Sequence, residues 1–327
     1  FNAADHARVP LDLASYGYVE EEFFLTGFAN VYAEDDGTLA VERSAVPYTN
    51  RILVRHPAKA NKASGVVVVD IYNASTGYDI EDMWRRLYAN ILANGHTYVG
   101  VTSKPLNVDA LYNFAAGRYE DLSWIDDDAC TYQPAVFFDA EGKVVPNAAW
   151  QEIGCTETGL AWDIITQTGN ALRDPEAGRE ILGGIKVRSM FLVGQSQSSL
   201  YLNTYVNNFH LPVQQSVGEN VWDGYLSAAG NWMERPLNDA EGGASGLVIV
   251  DGPETPVDVD VPWISVDTEG DVSLFPKKAL LPRELDADAR VWQIPGTSHT
   301  YSMSPVVPAT TELVKAGRPP RTFPTVY

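Results

Sequence analysis

The spacing of apolar and polar positions divides the chain into strands and helices before any chemistry is considered. Residues 18–27 read as an edge strand with poor alternation, 33–38 as a turn, and 47–57 as a half-buried strand with Ile52 and Val54 inward. These two strands are expected to pair antiparallel at one edge of a sheet. Residues 65–72 differ: a continuous β-branched run bounded by turn residues predicts a strand covered on both faces, central and parallel. Residues 82–92 carry Trp84, Leu87, Ile91 and Leu92 at helical spacing, and Asn94-Gly95 supplies the stop. The buried strand 97–102 follows, so this stretch reads as a right-handed βαβ crossover.

From 104 to about 156 the periodicity breaks down into scattered aromatics, such as Tyr112, Trp124 and Tyr132, mixed with turn signals. That segment is expected to form an insertion capping the site. An amphipathic helix is predicted over 160–172, a strand over 187–194, and a helix through Leu200, Tyr201 and Val206. Further strands are expected at 223–230, at 261–267 after Pro262, and at 290–294; 247–250 reads as a strand or as part of an insertion. The alternation predicts an α/β fold, with a mostly parallel central sheet and helices on both faces. The expected organisation is a single catalytic domain over 1–327 with a cap-like insertion at about 104–156.

One stretch organises the chemistry. An apolar strand pattern from Ser189 runs into Gly194-Gln195-Ser196-Gln197-Ser198 and then into a helical pattern, the layout of a nucleophile elbow. The elbow pattern is Gly-x-Ser-x-Gly, and Ser198 stands where the second glycine would be. Ser198 and Ser199 are therefore rival nucleophiles to Ser196. A serine hydroxyl needs a base, and the base needs an orienting acid. Of the five histidines, His299 alone lies in a glycine-started loop just past the last strand, where the βα loops of a parallel sheet gather. The acid should fall in the loop after the preceding strand. There Asp271 or Glu269 qualifies, while Asp267 belongs to the strand end. For the oxyanion, one donor is expected from the backbone N–H of Gln197 and the other from Asn73 or Ala74, in the loop after the central strand.

Composition narrows the function further. A net charge of −20 and a pI near 4.5 argue against nucleic acid and against anionic membrane surfaces. No apolar run approaches the roughly 18 residues that span a bilayer, so a soluble protein is expected. The two cysteines, Cys130 and Cys155, lie in one loop-rich region, and a disulfide there would stabilise it by about 3 kcal/mol. That pairing tilts the expectation toward a secreted or periplasmic protein, with a cytoplasmic one as the alternative, while an opening Phe1 rather than Met fits a cleaved signal and a trimmed start equally well. Asp126-Asp127-Asp128 lacks the spaced ligands of a calcium loop, no Cys/His spacing fits zinc, and Gly183-Gly184 precedes a strand rather than following one. No metal and no cofactor are expected.

The stretches 48–55, 69–73, 98–102, Gly194–Ser198 and 296–299, taken in order, resemble the α/β-hydrolase superfamily, and within it the branch described as "alpha/beta hydrolase domain" proteins. The resemblance implies the fold, a Ser-acid-His triad of Ser196, Asp271 or Glu269, and His299, and ester hydrolysis through an acyl-enzyme. The expected substrate is a small ester, uncharged and partly hydrophobic or aromatic. Acyl transfer or a lyase reaction at the same site, and a non-catalytic binding protein of this fold, are the alternatives.

Overall fold

The computed structural model describes residues 1–125, 130–231, 233–244, 248–251, 259–274, 288–300 and 306–320. The strands are β1 (Tyr18–Asp35), β2 (Thr38–Pro57), β3 (Val66–Ile71), β4 (Thr97–Val101), β5 (Ser189–Gln195), β6 (Gly224–Ala228), β7 (Met233–Glu234), β8 (Val250–Asp251), β9 (Trp263–Thr268) and β10 (Ala289–Ile294). The helices are α1 (Asp82–Asn94), α2 (Pro105–Phe114), α3 (Ala116–Tyr119), α4 (Ala161–Arg173), α5 (Ala177–Ile181), α6 (Gln197–Asn208), α7 (His210–Val217), α8 (Glu269–Leu274) and α9 (Thr310–Lys315). Among the described residues, eight strands form one sheet in the order β1-β2-β4-β3-β5-β6-β9-β10. The β1/β2 and β2/β4 pairs are antiparallel, and every later neighbour is parallel. The expected α/β fold, a mostly parallel sheet between helices, is the observed one.

The valine run of β3 explains why two layers of helices form. Side chains alternate across a strand, so Val67, Val69 and Ile71 enter the large core that includes α4 and α6. Val68 points the other way, onto Met83 of α1. Each face of the central strands is thus apolar and each needs a helix. Gly95 ends α1 in the left-handed conformation, with φ 68°.

Three regions depart from the sequence expectation. The first two strands are far longer than predicted, and their turn shrinks to Asp36-Gly37. Apart from a few buried residues such as Ala29 and Val31, their outer halves are part-exposed or exposed and rich in polar residues, so the apolar pattern that marks a strand is weak there. Of the described residues in the 247–250 stretch only Val250 joins a strand, and β8 pairs with β7 outside the main sheet. The 104–156 segment opens with the regular helices α2 and α3 before it becomes irregular. Beyond them Phe137, Ala148 and Ile153 form a small apolar cluster with Ala74 and Leu106. Cys130 and Cys155 are disulfide-bonded with Cα atoms 5.6 Å apart. Asp126-Asp127-Asp128 lies outside the described residues.

Two fully buried arginines on β2 tie the edge hairpin to the site. Arg51 donates to Glu22 at 2.7 Å and to Asp79 at 3.2 Å. Arg55 pairs with Glu20 and Glu81, each at 2.7 Å, and lies 4.4 Å over the Trp84 ring. Asp79 also accepts from Thr102 at 2.7 Å, and Glu81 from the Tyr72 hydroxyl at 3.0 Å. The chain between β3 and α1 is therefore held by buried charge pairs. Replacing Arg51 by Met leaves Glu22 and Asp79 short of a cation, and should lower stability by about 3–5 kcal/mol in urea unfolding. A loss below about 1 kcal/mol would show that this anchor is dispensable.

Candidate active site

Strand β5 ends at Gln195 and α6 begins at Gln197, which leaves Ser196 to make the turn alone. Its φ of 57° and ψ of −123° lie outside the regions ordinarily open to a residue with a Cβ. Such strain costs on the order of 1–3 kcal/mol and persists only where neighbours over-determine it. Here they do. Ser196 N–H donates to Ala228 O at 2.9 Å, while Ser196 O accepts from Ser199 N–H at 2.9 Å and Leu200 N–H at 3.2 Å. The turn also needs Gly194, because a Cβ there would stand 2.5 Å from Ser198 O. The glycine that the elbow keeps is the one under the helix. Ser198, in the place of the other, fits without a clash.

The rival hydroxyls are placed differently from that of Ser196. Ser198 and Ser199 are both fully buried. Ser199 Oγ donates to Ser196 O at 2.5 Å, and Ser198 Oγ accepts from the Lys104 ammonium at 3.4 Å. Ser196 is part-exposed, and its Oγ lies 2.9 Å from His299 Nε2.

On its other side, His299 Nδ1 hydrogen-bonds Asp271 Oδ1. The structure thus brings Ser196, His299 and Asp271 into one row. Asp271 Oδ2 accepts from the Thr268 N–H and hydroxyl, each at 2.7 Å. Burial pushes the Asp271 carboxyl up, but the bonds from His299 and Thr268 outweigh it and hold it below the usual carboxylate range. Glu269, the alternative acid, goes elsewhere: its Oε2 accepts from Gly296 N–H at 2.6 Å, at the start of the loop that carries His299. The reason is helical geometry. The expected turn is the short helix α8, and residues two apart on a helix point about 200° apart. Asp271 faces inward and Glu269 holds the loop. Gln195 Nε2 and Gly270 N–H fasten the same loop, donating to His299 O at 3.2 Å and Thr297 O at 3.1 Å.

The other histidines are engaged elsewhere. His6 contacts Glu312, His56 contacts Glu21, His96 meets Ser64, and His210 bridges Tyr225 and Asp260. Buried Asp267 accepts from Asn231 N–H at 3.1 Å, and burial raises its carboxyl to about 6.

The loop after β3 lies against the elbow. Asn73 Nδ2 donates to Gln195 O at 3.1 Å, and Ala74 N–H donates to Gln197 Oε1 at 2.9 Å. The N–H of Asn73 is spent on Ile80 O at 3.2 Å, so of the two expected donors in this loop Ala74 is the one facing the elbow. Ala74 and Gln197 line a cavity of about 30 Å³, room for roughly two waters. Leu106, Ile153, Tyr201, Lys104 and Arg235 form much of its wall. Ile153 and Gln151 bring the 104–156 segment to the edge of the site.

Sequence reasoning missed three residues that support the row, Gln195, Thr268 and Asn231, and a fourth, Lys104, that lies beside the elbow without touching the row. Asn231 Nδ2 donates to Asp271 O at 2.9 Å. Lys104 had a readable signal, since it follows a buried parallel strand and precedes Pro105, at the edge where ligands bind. Asn231 had none. Among the described residues no group of three or more His, Cys, Asp or Glu side chains could hold a metal ion. No helix among them is long and apolar enough to cross a membrane.

The family model described as "Alpha/beta hydrolase domain" matches residues 1–325. The chain belongs to the alpha/beta hydrolase domain family. Among solved structures it is similar to esterase Est22, at 14% identity and a TM-score of 0.43, covering 93% of this chain and 80% of that one. It is also similar to an arylesterase, at 12% identity and a TM-score of 0.39, covering 91% and 81%. A serine hydrolase without lid from Xanthomonas campestris aligns at 11% identity and a TM-score of 0.36, covering 85% and 86%. No curated protein matches the chain.

In this family member the elbow tolerates a serine at 198 but not a side chain at 194. Gly194→Ala forces α6 off β5, and should cost about 1–3 kcal/mol in thermal or urea unfolding. An unchanged unfolding midpoint would mean that the helix has room to move.

Proposed function

We propose that the protein is a serine hydrolase that cleaves a carboxylic ester through an acyl-enzyme. The observation that carries this reading is the hydrogen-bonded row from Asp271 through His299 to a strained, part-exposed Ser196. His299 Nε2 takes the proton as Ser196 Oγ adds to the ester carbonyl carbon. The tetrahedral oxyanion sits against the N–H groups of Gln197 and Ala74. Gln197 Oε1 occupies the Ala74 donor at rest, so its side chain turns aside when the oxyanion forms. Collapse expels the alcohol, which takes the proton from His299. Water then attacks the acyl-enzyme, again through His299, and frees the acid. Asp271 keeps the imidazole in the tautomer with its proton on Nδ1, and stabilises the imidazolium of each transition state.

The aromatic-rich 104–156 segment reaches the cavity beside Ala74 and Gln197 through Gln151 and Ile153, which favours an ester with an uncharged, partly hydrophobic or aromatic acyl or alcohol part. Membership of a hydrolase family supports the reaction class. The reading takes the chain as one catalytic domain with 104–156 over its site. The disulfide is consistent with a secreted or periplasmic protein.

A fluorophosphonate should label Ser196 in the folded protein and not in Ser196→Ala, which should also lose about 10⁴-fold or more in kcat on p-nitrophenyl acetate. An unlabelled wild type without turnover would sink the enzyme reading. Asp271→Asn should lower kcat by about 10³–10⁴-fold, whereas Glu269→Gln, which only loosens the His299 loop, should stay within about tenfold. Equal and mild losses would mean that neither carboxylate orients the histidine.

A further inference from the structure

Lys104 is a buried ammonium that the row of Ser196, His299 and Asp271 does not use. It lies between β4 and α2 and is 3% exposed. Its Nζ donates to Tyr72 O at 2.5 Å, to Ser103 Oγ at 2.7 Å and to Ser198 Oγ at 3.4 Å. The same ammonium stands 4.3 Å from the centre of the Tyr201 ring. All these partners are neutral, and no carboxylate among the described residues forms an ion pair with it. A buried cation with no carboxylate in direct contact is costly, and a fold retains one where its charge or geometry is needed.

Its partners indicate what that need is. Tyr72 opens the loop that carries Ala74, and Ser198 follows Gln197 in the elbow. The ammonium therefore joins the two segments whose N–H groups are the proposed oxyanion donors. Two further links join them: Asn73 Nδ2 to Gln195 O, and Ala74 N–H to Gln197 Oε1. The second is lost when Gln197 turns aside for an oxyanion. The lysine link remains, and it alone is charged.

We propose that Lys104 is a positioning residue of the oxyanion hole, clamping the Tyr72 carbonyl to the Ser198 hydroxyl and setting an unpaired positive charge behind the Ala74 and Gln197 donors. The inference rests on the ester-hydrolase reading. It also gives Ser198 a purpose: a glycine there would offer the ammonium no acceptor. A charge so placed gains little against a neutral ester and more against the oxyanion, so it acts on kcat rather than on KM.

A pH signature follows. Burial pushes Lys104 down to about 7, Asp79 acting against this, Arg235 with it, and Asp70 and Asp82 against it. These groups act on it from β3 (Asp70), the chain into α1 (Asp79), the first residue of α1 (Asp82) and the stretch after β7 (Arg235), with Tyr72 and Tyr201 as the neighbouring phenols. The clamp is charged below that pH and loses its charge as pH rises through it. The kcat of the wild type should therefore fall on the alkaline side of neutrality.

The test compares wild type, Lys104→Met and Ser198→Ala on p-nitrophenyl acetate across neutral and alkaline pH, with fluorophosphonate labelling of Ser196 and the affinity of an aryl trifluoromethyl ketone. Lys104→Met should lower kcat by about 10–100-fold with KM within about threefold, weaken the ketone in proportion, and abolish the alkaline fall. Ser198→Ala removes only one hydroxyl and tests the same clamp if Lys104→Met does not fold. It should lower kcat by about 3–10-fold and displace the alkaline limb. An active wild type whose kcat, ketone affinity and pH profile are matched by both variants overturns the Lys104 inference alone. A wild type with neither turnover nor a Ser196 adduct overturns the ester-hydrolase reading, and this one with it.

Discussion

The helix α6 meets β5 with the Ser198 carbonyl so close to Gly194 that no Cβ fits between them. That approach forces Ser196 to reverse the chain in one residue, and so into a backbone conformation that serine avoids. The strain is held by hydrogen bonds from both sides: Ala228 of the next strand takes the Ser196 N–H, and the first turn of α6 takes its carbonyl. The hydroxyl then stands at the carboxyl edge of the sheet, because the peptide on either side is already committed. Without the parallel β5/β6 pair there would be no Ala228 carbonyl to receive it.

The remaining parts converge on that edge through topology. Parallel strands return every βα connection to the same end of the sheet. The loop after β3 supplies Ala74, the end of β4 leads to Lys104, the end of β9 supplies Thr268, α8 directly after it supplies Asp271, and the loop after β10 supplies His299. These residues are scattered over much of the sequence, yet each takes its place by the same rule. The acidic side chains divide by local geometry: within α8, Asp271 turns inward to the imidazole while Glu269 turns to the backbone of the loop that carries it.

Buried charge carries a second burden. Arg51 and Arg55 hold Asp79 and Glu81 between β3 and α1, and through Thr102 and Tyr72 this network reaches the loop that faces the elbow. Lys104 stands at its inner end, where the carboxylates give way to neutral oxygens and an aromatic face. The same chain of polar contacts thus stiffens the hairpin edge and ends beneath the proposed oxyanion donors.

The sequence by itself determined what repeats or is local. The valine run of β3, the helical spacing from Trp84 to Leu92 and the Gly194–Ser198 knot each state their conformation within a few residues, and their order yields the sheet and the neighbourhood of Ser196 and His299. It left open what depends on direction in space. Whether Asp271 or Glu269 reaches the imidazole turns on a helical phase that a turn-like composition concealed. Whether the N–H of Asn73 or that of Ala74 faces the elbow depends on Ile80, several residues away across a bridge. The length of the first hairpin was hidden because its outer part buries few side chains, Ala29 and Val31 among them, between polar and exposed ones. Lys104 and Ser198, ordinary in sequence, acquire their meaning only when β4 and α6 bring them to one point, because a hydrogen bond between distant segments leaves no period in the chain.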